Sequence, residues 1–179
     1  MAYSADSFVA DEQPTTAKWN KRWNNDASFN DGSGIASLAW GTTSLSNVYK
    51  FRARRVAAQN TSAGAAVKIN FDTEDFDTNS NYDNATNYRY TAAVAGFYPI
   101  WGHVNTSAAG SLLIILYKNG SAYQRGGQMG SSGGVICSDF VQSAATDYWE
   151  QYVFSASTGA IDVTAAVQPY FAAHLHSRT

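Results

Sequence analysis

The chain has 179 residues, room for one domain of about 130 residues and an appendage but not for two full-sized domains. Its 12 Lys and Arg against 14 Asp and Glu leave a net charge of -2, which excludes a broadly basic surface for nucleic acid, and no run approaches the ~20 apolar residues of a membrane-spanning helix. Charged residues are only 15% and aromatic residues 14%, so much apolar surface must be hidden, and the single cysteine, Cys137, excludes an intrachain disulfide or an all-cysteine metal site.

The amino-terminal stretch MAYSADSFVADEQPTTAK has no basic start followed by an apolar core. A protein without a secretion signal or membrane insertion is therefore expected, and the Asn-x-Ser/Thr triplets at Asn60, Asn84, Asn105 and Asn119 are expected to stay unmodified. One helix is predicted over 15–27: Pro14 suits its first turn, Thr15 or Thr16 can cap it, and Trp19, Trp23 and Ala27 recur on one face. Asn30 to Gly34 end it, and the Gly-, Ser- and Thr-rich stretch 41–47 reads as a linker. The predicted organisation is an attachment segment over 1–48 and a β domain over 49–179.

From residue 49 onward the pattern is short alternating strands, at 49–56, 66–71, 88–92, 97–104, 112–118, 123–127, 134–140, 148–155 and 170–176. Lys118-Asn119-Gly120-Ser121 is the clearest turn, because Asn-Gly supplies the positive φ angles of a tight hairpin. Pro99 cannot donate to a ladder, so its strand is expected to be an edge or to carry a bulge there. Over 112–117 both alternating faces are apolar, which a strand with one face in water would not show. The face bearing Leu113, Ile115 and Tyr117 is therefore expected to be a subunit contact.

Chemistry-bearing candidates are few. Asp72, Glu74, Asp75, Asp77, Asn79, Asn81 and Asp83 form an acidic run read as a solvated loop. Asp72, Asp75, Asp77 and Asn79 are its weak calcium candidates, since Ser80 and Thr86 stand where a calcium loop needs Gly and Glu. No other cofactor is expected. His174 and His176 share a strand face, where packing or surface roles are favoured over a metal or pH-sensitive site. Arg52, Arg54 and Arg55 read as a solvated strand face or an ion pair between subunits. Cys137, on an apolar strand without a base beside it, reads as a small core residue, and buried packing is expected for Trp101, Tyr123 and Tyr148.

Asn70-Phe71, Tyr82-Asp83, Tyr88 with Tyr90, Gly96-Phe97-Tyr98, His103-Val104, Leu116 before Lys118-Asn119-Gly120, Ser132-Gly133-Gly134, Asp147 and Phe171 appear in that order. Over roughly 49–177 this series is similar to the globular domain of complement component C-one-q, which shares its jelly roll with tumour necrosis factor. The resemblance implies an all-β fold, a ten-stranded antiparallel jelly-roll sandwich that forms a homotrimer and binds ligands on exposed loops. It also implies packing for His103, and it makes Gln151 a departure, an amide where the family has an aliphatic residue. The amino-terminal segment, separately, resembles the start of structural proteins in tailed bacteriophages.

Taken together, the expectation is a non-enzymatic virion protein on the phage particle surface. Trp19 and Trp23 would anchor it to capsid or tail proteins, and a trimeric knob would bind host-surface glycan or protein through loops such as 124–131. A capsid decoration protein that stabilises the shell is the near alternative, and a bacterial lectin-like module is the alternative of another class.

Overall fold

The computed structural model describes residues 49–164, 166 and 168–179, within a compact unit spanning Asn47–Thr179. The predicted helix, with Trp19 and Trp23, lies outside these residues. Every regular element among the described residues is a strand. The chain opens with β1 (Lys50–Arg54), β2 (Gln59–Asn60), β3 (Ala65–Lys68), β4 (Thr73–Asp77), β5 (Tyr82–Asp83) and β6 (Arg89–Thr91). The long strands follow: β7 (Gly96–Thr106), β8 (Leu112–Lys118), β9 (Ser121–Met129), β10 (Gly133–Ser143) and β11 (Tyr148–Ser155). Short β12 (Ala160–Ile161), β13 (Tyr170–His174) and β14 (Ser177–Arg178) complete it.

All of these strands but β3 form two antiparallel sheets. The eight-stranded sheet runs β2-β12-β7-β13-β1-β4, with β10 and β14 also on β7; the five-stranded sheet runs β5-β6-β11-β8-β9. Alternation decides which side chains face the core: Tyr98, Ile100 and Val104 of β7 and Phe171 of β13 meet Ile114 and Leu116 of β8 and Trp149 and Val153 of β11, all buried. Phe51 stacks on Tyr90 at 4.4 Å and on Tyr82 at 4.9 Å, closing one end. Each such ring or aliphatic chain contributes on the order of 1.5–3 kcal/mol by leaving water.

Local chemistry accounts for several joints. The β8–β9 hairpin turns at Asn119 (φ 51) and Gly120 (φ 78), the positive pair a two-residue turn requires. Pro99 sits well inside β7, not at a sheet edge. Its bulge is on one side only: β10 pairs with β7 unbroken past Pro99, while on the other side pairing stops at Ala173↔Ile100 and resumes at Ser177↔Phe97. Gln151 keeps the expected register of β11 but is fully buried, and neither amide atom finds a hydrogen-bond partner. Room for it comes from Gly102 on the facing sheet, where an added Cβ would overlap the Gln151 amide.

The acidic run is not a solvated loop: its centre is β4, paired with β1. Charge complementarity makes that edge strand possible, because Asp75 forms ion pairs with Arg52 and, at 2.7 Å, with Arg54. The arginine cluster is thus paired within one chain.

Candidate functional site

The outer face of the eight-stranded sheet carries an unusual amount of uncovered apolar surface. Alternation on β7 turns Phe97, Pro99, Trp101 and His103 outward, and register places Phe140 opposite Pro99, Ile136 opposite His103 and Tyr170 opposite His103 on the other side. Phe76 (46% exposed), Trp101 (37%), Ile136 (56%) and Phe140 (55%) all belong to this face. Phe97 stacks on Phe140 at 5.9 Å. All three histidines lie here as well, each against a ring: His103 on Tyr170 at 5.9 Å, His174 on Trp101 at 5.4 Å and His176 on Phe140 at 5.3 Å. Burial lowers the pKa of His103, and burial followed by the charges of His176 and Lys50 lowers that of His174. Beside His103 a polar recess of about 410 Å³ is bounded by Arg52, Arg54, Asp75, Gln168 and Tyr170.

Ile136 and Phe140 went unmarked in the sequence, because Ser138 and Gln142 share their face of β10 and give it a mixed pattern. Trp101 and Tyr123, expected to be buried, are substantially exposed.

The other sheet presents a different outer face. Leu113, Ile115 and Tyr117 do point away from the core, but side chains of their own chain already cover much of them: Ile115 is only 7% exposed, and Leu113 and Tyr117 are half-buried. Tyr117 stacks on Tyr152 at 3.9 Å, Lys68 reaches over Tyr152 while pairing with the buried Glu150, and Arg125 stands opposite Ile115. Burial, then Glu150 and Tyr117, push the Tyr152 hydroxyl up to about 12. The apolar second face of β8 is thus largely used inside one chain, and the exposed large apolar side chains gather on the opposite sheet, with Tyr123 on β9 apart from them. The 124–131 stretch, expected as a loop, is mostly strand β9.

The calcium candidates do not converge. Asp72 accepts the backbone N–H groups of Val56 and Ala57 and pairs with Arg55 at 2.9 Å; burial alone would raise its pKa, and these partners outweigh it to leave the pKa low. Asp75 is held by Arg52 and Arg54, while Asp77 accepts the N–H groups of Asn79 and Tyr82. Asn79 accepts the Thr78 hydroxyl at 2.8 Å. Among the described residues no three His, Cys, Asp or Glu side chains are grouped as a metal needs. Cys137 is buried, and burial pushes its thiol up to about 11, far from a reactive thiolate.

A second cleft, of about 310 Å³, opens at the β5–β6 edge of the five-stranded sheet. Ser80, Asn81, Asp83, Arg89, Thr91 and Thr146 line it, brought there by the turn after β4, by β5 and β6, and by the turn between β10 and β11. Two of its wall residues, Ser80 (φ 53) and Thr146 (φ 76), hold left-handed backbone that costs a β-branched residue most. Asp83 accepts Thr86 N–H at 2.8 Å, Ala85 N–H at 3.0 Å and both Asn87 donors, which hold its pKa at about 2.

No protein-family model matches the sequence, and no curated protein matches it either. Solved structures do. The globular domain of zebrafish complement 1qA superposes with a TM-score of 0.55 at 16% identity, covering 73% of this chain and 98% of that one. The Eiger tumour necrosis factor from S. frugiperda gives 0.58 at 6% identity, covering 74% and 94%. The vertex protein P5 of PRD1 gives 0.56 at 12% identity, covering 73% and 99%. At such identities the likeness speaks for architecture, and the described domain has the antiparallel jelly-roll fold of the C-one-q and tumour necrosis factor kind.

Proposed function

We propose that this chain is a non-enzymatic structural protein of a phage virion, a homotrimer whose subunits meet through the outer face of the eight-stranded sheet. The five-stranded sheet and its end loops then face outward, where they bind a host-surface glycan or protein. One observation carries the reading: Phe76, Trp101, Ile136 and Phe140, exposed in one chain, share a single sheet face with three histidines, each packed against an aromatic ring. Apolar surface gathered in this way marks an interaction face, and closed cyclic symmetry is the common way for identical chains to bury it. The number three comes from the family resemblance. The virion assignment is supported by the fold shared with a protein named as a vertex protein of PRD1 and by the phage-like amino-terminal sequence bearing Trp19 and Trp23. Catalysis has little to work with, since Asp72, Asp75 and Asp77 are each committed to separate partners.

Density for this chain on the intact particle is the test. Three copies per projecting knob at vertices or tail are expected; single copies spread over the shell would favour the decoration role, and absence from the particle would overturn the virion reading.

A further inference from the structure

The geometry points to the cleft beside Arg89 as a binding site for a carboxylate-bearing sugar, such as a uronic acid unit of a surface polysaccharide. This deepens the reading of the five-stranded sheet as the outward, recognising face and rests on it.

Arg89 is the cation of this cleft, and among the described residues no carboxylate pairs with it. Its guanidinium instead lies over the Tyr148 ring, 4.3 Å from the centroid, a stack that orients the fork while leaving its N–H groups free for an acceptor. The nearest acid in register, Asp83, has both oxygens occupied by local N–H donors. It therefore stays ionised but has little acceptor capacity to spare for Arg89. What remains free is a guanidinium fork in a cleft lined also by Ser80, Thr91 and Thr146. That set suits a ligand with one carboxylate, which a guanidinium grips through two parallel hydrogen bonds, and several hydroxyls, which exchange hydrogen bonds with Ser and Thr.

Charge discriminates among anions. A single cation next to the ionised Asp83 favours a monoanion, and a phosphate dianion is disfavoured by the same neighbour. The volume, about 310 Å³, falls at the lower end of the ~300–1,000 Å³ range of small-molecule sites, enough for one or two sugar rings. The left-handed Ser80 and Thr146 fit this assignment, because strained backbone persists where the surrounding structure holds a shape for use. Thr146 N–H is fixed to the Ala92 carbonyl at 2.7 Å, which locks that wall.

The experiment is saturation-transfer NMR on the full chain with sodium glucuronate and glucose, and with inorganic phosphate, which has no carbon-bound proton to observe, added as a competitor of glucuronate; it is repeated with Arg89→Leu, Arg89→Lys and Arg178→Leu. Glucuronate should bind, glucose and phosphate should bind more weakly, and Arg89→Leu should weaken glucuronate roughly tenfold or more, the loss of a charge-assisted bidentate pair. Arg89→Lys should fall between, since it keeps the charge and loses the fork, and Arg178→Leu, on β14 of the other sheet, should change nothing. Equal response to glucose and glucuronate, stronger binding of phosphate, no binding at all, or binding unchanged in both Arg89 variants would overturn the site. Light scattering on the same samples separates the two readings. A trimer that ignores glucuronate removes only the sugar site, and a monomer that binds it removes only the assembly face.

Discussion

The two sheets of this roll share a core and differ on their outer faces. On the five-stranded sheet the outward rings are covered by their own neighbours, Tyr117 by Tyr152 and Tyr152 by Lys68. On the eight-stranded sheet the outward rings touch one another in small groups, Phe97 and His176 on Phe140 and Trp101 on His174, and Trp101, Ile136 and Phe140 stay open to solvent. The lesson is that apolar residues on both faces of a strand do not by themselves mark a subunit contact; what matters is whether cross-strand side chains of the same chain already cover them.

The largest expected effect is at the seam between the sheets. Gly102→Ala would push a methyl group into the Gln151 amide, and overpacking there should cost about 3 kcal/mol, read as a lower urea midpoint. Adding Gln151→Ala should recover much of that loss, since the three atoms nearest the added methyl all belong to that side chain. Gln151→Leu is expected to act in the opposite direction. It removes a buried amide without hydrogen-bond partners, and a gain of about 1–2 kcal/mol should appear in the melting temperature.

Titration should separate the two faces by pH window. His103 and His174 have folded-state pKa values below 6.5, so the folded chain prefers them neutral, and their contribution is complete above about pH 6.5 and declines as pH falls from there. Asp83 and Asp147, beside the five-stranded sheet, have lowered pKa values, and their contribution is lost only below about pH 3.8. Melting temperature followed from pH 7.5 to 5 should fall in the wild type and flatten in His103→Gln with His174→Gln; an equal fall in that variant would contradict the assignment. The smallest effect belongs to Tyr117→Ser, which removes a stacked pair, about 0.5–1.5 kcal/mol beyond the area it uncovers, and should leave assembly unchanged.

Much of the frame was legible in residue order. β8 and β11 have the bounds their apolar patterns predicted, and Asn119-Gly120 turns as its chemistry demands. β4 was missed because Thr73-Glu74-Asp75-Phe76-Asp77 carries no apolar alternation; the cue was the opposite charge of Arg52 and Arg54, and pairing between distant segments has no local signal. The same blindness concealed the difference between the two outer faces. Ile115 looked as free as Ile136, and only the fold reveals that one lies beneath neighbouring side chains and the other does not. The cleft was less legible still, because Ser80 and Thr146 come from two separate turns and Arg89 from β6, and none belongs to a recognisable motif.

Sedimentation equilibrium on the full chain tests the central claim most directly, comparing wild type, Ile136→Asp with Phe140→Asp, and Tyr117→Ser. Wild type and Tyr117→Ser should sediment as three chains of 19.3 kDa, and the double aspartate variant as a folded monomer, because a charge cannot be buried unpaired in that interface. A wild-type monomer at micromolar concentration, or a trimer that survives both aspartates and dissociates with Tyr117→Ser, would contradict the account.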